Sequence, residues 1–179
     1  LFGVKATAQN DFLIDQYIFN QQIFNPATTG KNGDLGIFLY GDQNFSSLEN
    51  APYSYGLTGY KTIKKDTLSI GVNFRQNKYG KERSTYFLGD FAYSFNFDST
   101  KALSVGIKGG ILNYYNPLTE YELYPDGEYD PVFANDINDN FLSFGLGVYY
   151  SSKNFMAGFF STNVSQIKLS DSGHEFKNN

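Results

Sequence analysis

The sequence contains no cysteine, no tryptophan, one methionine and one histidine among its 179 residues. Without cysteine there is no thiol nucleophile, thiolate metal ligand or disulfide, and the lone His174 leaves almost no imidazole chemistry. The sequence also lacks a Ser/His/Asp set, a phosphate-binding glycine loop and a metal-ligand cluster. We therefore predict a protein that is not an enzyme and that needs no cofactor and no metal.

Basic residues and long apolar runs are also scarce. The 14 basic residues are outnumbered by 18 acidic ones, and the net charge of -4 leaves no excess of cations for a nucleic acid backbone. A membrane-spanning helix needs about 20 consecutive apolar residues, and no run approaches that length. Nucleic acid is therefore not an expected partner. A membrane β-barrel is still allowed, because its strands alternate apolar and polar residues.

Aromatic residues and alternating patterns are abundant. The chain has 18 Phe and 15 Tyr, and from Asp34 onward apolar and polar residues alternate with period two between clusters of turn-forming residues. No segment has a convincing helical period. Seven runs are predicted as strands: Asp34 to Gly41, Tyr53 to Ile63, Asp66 to Arg75, Thr85 to Phe97, Lys101 to Asn113, Phe141 to Tyr150 and Asn154 to Ser161.

The connections between these runs alternate between long and short, as in outer-membrane barrels with long outer loops and short periplasmic turns. The long connections are 42–52, 76–84 and 114–140, and the short ones are 64–65, 98–100 and 151–153. We therefore predict an all-β fold, an antiparallel transmembrane β-barrel of the bacterial outer membrane, of which residues 34–179 form an N-terminal fragment of about seven strands. Because bacterial barrels close with an even number of strands, we expect several more.

Pairing apolar with apolar residues predicts the registers of three hairpins. The three predicted cross-strand pairs that define them are Asp90 with Lys108, Leu57 with Val72, and Val148 with Ala157. A soluble two-sheet sandwich is the alternative fold, since it also alternates. Glycines on the polar face favour a crowded barrel interior instead: Gly36, Gly56, Gly71, Gly106, Gly145, Gly147 and Gly158.

The chain before the first strand divides into two predicted segments. Residues 1–8 are typical of the remnant of a signal peptide, with Ala6-x-Ala8 as a cleavage pattern, and an ordinary terminus is the alternative. Residues 9–33 form an N-terminal segment that lies in the periplasm or enters the barrel as a plug. Its Asn-Pro pair and Gly30 indicate turns.

A motif in this segment resembles the N-terminal signature of the PorP/SprF family, type IX secretion system outer-membrane proteins of Bacteroidota. The residues that match are Gln16, Tyr17, Phe19, Asn20, Asn25, Pro26, Ala27 and Gly30. The sequence departs from the signature at Gln21, where a proline is usual, and at Thr28 and Thr29, where an aromatic residue and an alanine are usual. Residues 130–136, 144–147 and 155–161 resemble further family motifs.

The resemblance implies an outer-membrane barrel that serves type IX protein secretion and gliding motility. The partners it implies are outer-membrane lipids, other type IX secretion components, and a C-terminally tagged cargo protein or adhesin. The periodicity of the sequence indicates only the barrel. A porin-like diffusion channel for small solutes is the alternative function.

The loop 114–140 is the first candidate site. It contains seven acidic residues and no Lys or Arg, together with exposed aromatic residues that suit protein recognition. A solvated loop with no partner is the alternative. Asp136 begins a D-x-N-x-N pattern, but the missing Gly and Glu argue against an EF-hand, while a looser calcium site stays open. The residues predicted to bind a partner are Tyr121, Tyr124, Asp126, Tyr129, Asp130 and Phe133.

Three charged residues form the second candidate site. Asp90 and Lys108 are predicted to face each other in the barrel lumen, and Arg75 points to the same side. These charges would filter solutes, seat a plug, or simply fill a polar interior as an ion pair. Filtering of solutes is expected of a channel, whereas binding of a plug is expected of a docking subunit.

Overall fold

A computed structural model of the protein describes residues 20–43, 50–120 and 134–168, with residues 162–168 as strand backbone alone. Within these ranges seven strands form one antiparallel sheet in chain order, and no helix is long and apolar enough to cross a membrane. Three short 3-10 turns lie at Gln21–Ile23, Pro26–Thr28 and Leu118–Glu120. The strands are β1 Leu35–Gln43, β2 Tyr53–Lys64, β3 Leu68–Tyr79, β4 Glu82–Asn96, β5 Ala102–Asn116, β6 Ile137–Ser151 and β7 Met156–Lys168.

The prediction of an all-antiparallel β fold is confirmed, and each predicted run overlaps one observed strand. The seven strands form a curled sheet, half of a barrel. The predicted signal-peptide remnant, residues 1–8, lies outside the described residues.

The polarity of the two faces of the sheet is the reverse of that in a soluble β-sandwich: the inner face is polar and the outer face is apolar. On the inner face small polar side chains are buried, such as Ser54, Thr58 and Ser104. On the outer face large apolar side chains are exposed, including Ile37 at 72% and Phe159 at 78%. In a soluble sandwich the apolar faces would be buried against a second sheet. An apolar outer surface around a polar interior is instead the arrangement of a barrel in lipid.

The register of the β4–β5 hairpin is confirmed along its length. Asp90 lies opposite Lys108, and Gly89 lies opposite Gly109. The turn is closed by the Asp98 side chain, whose Oδ1 accepts hydrogen bonds from the amides of Thr100 and Lys101, each at 2.7 Å. These bonds hold the pKa of Asp98 below its ordinary value.

The other two predicted registers are wrong by two residues. Leu57 pairs with Phe74 instead of Val72, and Val148 pairs with Phe159 instead of Ala157. The turns are wider than predicted: the first adds a bulge between Thr62 and Lys64 and a left-handed Asp66, and the second is closed by a hydrogen bond from Ser152 N to Phe155 O. A slip of two residues keeps every side chain on its face, so hydrophobic alternation alone does not detect it.

The predicted long loop 76–84 is also wrong. Strands β3 and β4 continue to the pair Tyr79 and Glu82, joined by Gly80 and Lys81, with Gly80 at a φ of 59°. Strands β4, β5 and β6 have 15 residues each, whereas a membrane strand needs about 9 to 11. These strands therefore extend beyond the apolar band on the loop side as polar, paired β structure.

Candidate functional site

Residues 20–30, called the inner segment below, lie against the polar face of the curled sheet. The segment consists of two 3-10 turns joined at Asn25, whose side chain Oδ1 accepts a hydrogen bond from Ala27 N at 2.9 Å. Pro26 stands at the first position of the second turn, where its missing N–H costs nothing. Asn25 is 1% and Ala27 0% exposed, so the sheet covers both completely.

The inner segment spans the sheet from one edge strand to the other. Ile23 packs against Tyr40 of β1, and the Phe24 ring lies 6.0 Å from the Phe160 ring of β7. Between these ends, the Asn25 side chain donates to the Val148 carbonyl of β6 at 3.2 Å. Contacts with both edge strands are possible only because the sheet is curled, so the segment fills the concave side of the half-barrel.

Glycines on the inner face make room for this segment. A side chain at Gly106 would overlap the backbone of Pro26 and Ala27, and one at Gly147 would overlap the Asn25 side chain. The close approach of the inner segment therefore accounts for some of the glycines predicted on the polar face, whereas a side chain at Gly36 or Gly56 would instead meet the tyrosine rings of neighbouring strands.

The lumen charges form a buried cluster with Gln22. Asp90 Oδ1 lies 3.2 Å from Lys108 Nζ, and Asp90 Oδ2 accepts a hydrogen bond from Gln22 Nε2 at 3.0 Å. Lys108 Nζ also donates to the carbonyls of Gln22 at 2.8 Å and Ile23 at 2.9 Å. Asp90 and Lys108 are only 4% and 3% exposed. The Asp90–Lys108 pair thus binds both the Gln22 side chain and the backbone of the inner segment.

Arg75 lies on the same face but outside this cluster. Its guanidinium stacks 4.2 Å from the centroid of the Tyr86 ring, and its strand partner is Tyr86 as well. The structure thus brings together two of the three predicted lumen charges.

A polar cavity of about 700 Å³ lies below the inner segment, at the end of the sheet where the short turns are. Most of its walls are hydroxyl, amide and charged side chains, among them Thr29, Lys31 and Ser94. Burial of Lys31 lowers the pKa of its ammonium, and its Nζ lies 5.4 Å from the Tyr149 ring centroid. The concave side of the sheet is therefore open and polar toward the short turns, whereas the inner segment covers it at the level of Asn25 and Pro26.

The base of the long outer loop is held by Asp136. Its Oδ1 accepts hydrogen bonds from the hydroxyl of Thr119 at 2.7 Å and from the Thr119 amide at 3.1 Å. The Tyr115 hydroxyl donates to Oδ2 at 3.2 Å. The bonds from Thr119 hold the pKa of the Asp136 carboxyl below its ordinary value. The six residues predicted to bind a partner, Tyr121, Tyr124, Asp126, Tyr129, Asp130 and Phe133, lie outside the described residues.

The D-x-N-x-N pattern after Asp136 has a structural role. The side-chain oxygens of Asn138 and Asn140 accept hydrogen bonds from Asn113 Nδ2 at 2.8 Å and 3.0 Å. Both asparagines lie on β6 beside β5, where they join two strands instead of forming a loop around an ion.

All of the described motif residues belong to the inner segment. Gln16, Tyr17 and Phe19 lie outside the described residues, while Asn20, Asn25, Pro26, Ala27 and Gly30 are placed on the sheet. The Asn20 amide donates to Thr58 Oγ1. Gly30 has a φ of 80°, and a side chain there would overlap Ser69.

Sequence reasoning missed Gln22, which was not singled out beside the motif. The sequence signal for such a residue was the N-terminal motif, whose polar residues lie outside the predicted strands, together with the glycines predicted on the polar face of the sheet. Together these features indicate a segment that lies against the sheet.

A family model described as the type IX secretion system membrane protein PorP/SprF matches residues 6–179. No curated protein and no solved structure matches the chain.

Proposed function

The chain belongs to the PorP/SprF family of type IX secretion system membrane proteins, and from this premise we propose that it acts as a non-enzymatic docking subunit. In this proposal the outer-membrane barrel holds partner proteins of the secretion machinery, or a C-terminally tagged cargo protein or adhesin, on its outer loops. Residues 9–33 act as a plug that closes the interior.

The observation that carries the proposal is the inner segment that covers the concave face of the half-barrel. A diffusion channel needs a continuous wet path, but the inner segment reaches from β1 to β7 and is fixed by the buried cluster of Gln22, Asp90 and Lys108. A barrel whose interior is occupied by its own chain offers its partners the rims and loops. This supports docking over conduction.

The outer rim supplies a rigid platform for such docking. Strands β5 and β6 remain paired to Asn116 and Ile137, beyond the apolar band, and Asp136 ties the loop base to Thr119. A loop anchored in this way loses less conformational entropy on binding than a free one. The adjoining loop contains the tyrosines and acids that favour protein recognition.

The docking proposal is tested by replacing Tyr121, Tyr124 and Tyr129 together by Ser in the chromosomal gene. Quantitative proteomics of the cell surface and medium then measures tagged cargo. We expect loss of at least one surface cargo protein by about tenfold or more, the effect of removing hot-spot aromatics.

The matched control replaces Tyr79 by Ser at the neighbouring outer hairpin, which has no long loop. Both variants must reach the outer membrane at the unmodified level. An unchanged set of surface and secreted proteins in the loop variant would overturn docking through this loop.

A channel for small solutes is the second candidate, favoured by the polar cavity of about 700 Å³ on the turn side. Bilayer recordings of the full-length barrel test it. If Asp90 filters solutes, Asp90→Asn changes the ion selectivity of a measurable conductance. Under the docking proposal, both the unmodified barrel and the variant conduct little.

A further inference from the structure

The outer face of the sheet is organised in horizontal rungs, because antiparallel register aligns residues of neighbouring strands. The last apolar rung toward the loop side contains Leu57, Phe74, Phe87, Ile111 and Leu142. The next rung is uncharged and polar: Tyr55, Gln76, Thr85, Asn113 and Asn140. The rung beyond it, called the basic rung here, contains Tyr53, Lys78, Arg83, Tyr115 and Asn138.

The basic rung lies just beyond the lipid headgroups, within reach of long side chains. Successive residues of an antiparallel strand rise by about 3.4 Å, so four residues from Phe74 to Lys78 correspond to about 14 Å along the strand. With the usual strand tilt of about 45° this is roughly 10 Å above the last apolar rung. The headgroup region extends about 5 to 8 Å beyond the hydrocarbon on each side. Long side chains at the basic rung therefore reach the headgroup phosphates.

Lys78 and Arg83 are direct cross-strand partners of the same charge. Like charges directly opposite each other destabilise a sheet. Among the described residues neither cation forms an ion pair. The Asp136 carboxylate, which the Tyr115 hydroxyl contacts, is already bound by Thr119. No direct ion pair within the described part of the protein therefore offsets the repulsion of the two cations.

Two tyrosines orient these cations. Lys78 Nζ lies 5.9 Å from the centroid of the Tyr53 ring, and the Arg83 guanidinium lies 5.7 Å from that of Tyr115. A cation over an aromatic face is held in place while its N–H groups stay available to an anion. Arg83 is exposed and Lys78 half-buried, so both are accessible from the side.

We propose that Lys78 and Arg83 form a binding site for the phosphate group of a lipid headgroup in the outer leaflet. The lysine ammonium and the arginine fork donate hydrogen bonds to one phosphate, whose charge cancels the repulsion between the two cations. Tyr53 and Tyr115 flank the pair and fix the lateral position of the lipid. The bound lipid anchors the barrel at a defined depth, independently of what its loops dock.

Native mass spectrometry of the full-length barrel tests this proposal by titration with phosphorylated lipid A, dephosphorylated lipid A and inorganic phosphate. We expect the phosphorylated lipid to bind about tenfold or more tightly than the dephosphorylated one, as charge-assisted hydrogen bonds imply. In Lys78→Gln/Arg83→Gln this preference disappears, and in Lys78→Arg/Arg83→Lys it is retained in large part.

The matched control is Lys61→Gln/Lys64→Gln, which removes the same charge from exposed positions at the turn end of β2. This variant keeps the lipid preference. An equal loss in the control would reduce the effect to net charge and overturn the site. The proposal also fails if Lys78→Gln/Arg83→Gln binds like the unmodified barrel, or if inorganic phosphate binds as tightly as the lipid. Heat-modifiable gel mobility verifies that every variant is folded.

Discussion

At the residue scale, Lys108 connects the sheet to the inner segment more directly than any other cation that the structure describes. It neutralises Asp90 and donates to two carbonyls at the end of the first 3-10 turn. Burying two charges is costly, and their attraction offsets that cost only when the remaining hydrogen-bonding groups are also satisfied. Here Gln22 donates to Asp90 Oδ2, while Oδ1 has only the Lys108 ammonium beside it, at 3.2 Å. The cluster therefore acts as a unit.

Lys108→Met should destabilise the full-length barrel strongly, by about 3 to 5 kcal/mol, because Asp90 would remain as a buried, unpaired carboxylate. Urea unfolding in lipid vesicles measures this change. The double variant Asp90→Leu/Lys108→Met should recover a large part of the loss, since no buried charge is left. Equal losses in the single and double variants would show that the ion pair is not the source of the effect.

At the element scale, the inner segment depends on glycines of the sheet. Gly106→Val should displace the second 3-10 turn, because any side chain at this position overlaps Pro26 and Ala27. We expect the amide of Ala27 to exchange hydrogen about tenfold faster or more, as a locally opened segment does. Gly109→Ala is the control, since its new methyl group would lie at an ordinary 3.5 Å from Phe144. Unchanged exchange in Gly106→Val would contradict the observed packing.

The outer loop base should loosen in acid. The pKa of Asp136 is lowered in the folded protein, so its stabilising effect is present above the ordinary pKa of 3.8 and is lost as the pH falls through the lowered value. Hydrogen exchange of the Thr119 amide should therefore accelerate below about pH 4 beyond its intrinsic rate. In Asp136→Ala the amide should exchange fast at every pH. An amide protected equally at pH 3 and pH 6 would contradict this role.

The elements differ in how far the sequence alone predicts them. Strand positions and faces follow from alternation, as Leu68 and Ile70 illustrate, because each apolar side chain must reach the same surface. Only the β4–β5 register was predicted correctly, since Asp98 specifies its turn locally. The left-handed conformation of Asp66 and the bulge beside it cannot be predicted from the hydrophobic pattern. The outer hairpin at Gly80 was mistaken for a loop because its strands are polar.

At the scale of the whole molecule, the inner segment lies against the polar, concave face of the curled sheet and contacts both of its edge strands. The sequence predicted the ion pair of Asp90 and Lys108 on the lumen face, but not its partner Gln22. That contact joins residues 68 positions apart, so no local sequence pattern predicts it. The sequence shows the family motif and the glycines as separate features. Only the three-dimensional structure shows that glycines of the inner face make room for the motif.

Removal of residues 9–33 from the full-length barrel should raise its conductance about tenfold or more, because the polar face would then line an open path. Planar bilayer recordings measure the change. Gly106→Val, which keeps the whole chain, should raise conductance in the same direction. If neither variant conducts more than the unmodified barrel, the inner segment is not what closes the lumen.

The contacts of the inner segment are also expected to slow folding. Asn25 hydrogen-bonds to Val148, 123 positions along the chain, and Lys108 is 86 positions from Gln22. Long sequence separations raise contact order, and high contact order slows folding because chain entropy is lost before native contacts form. We therefore expect the inner segment, although it precedes every strand in the chain, to reach its native position late, after β6 and β7 are paired.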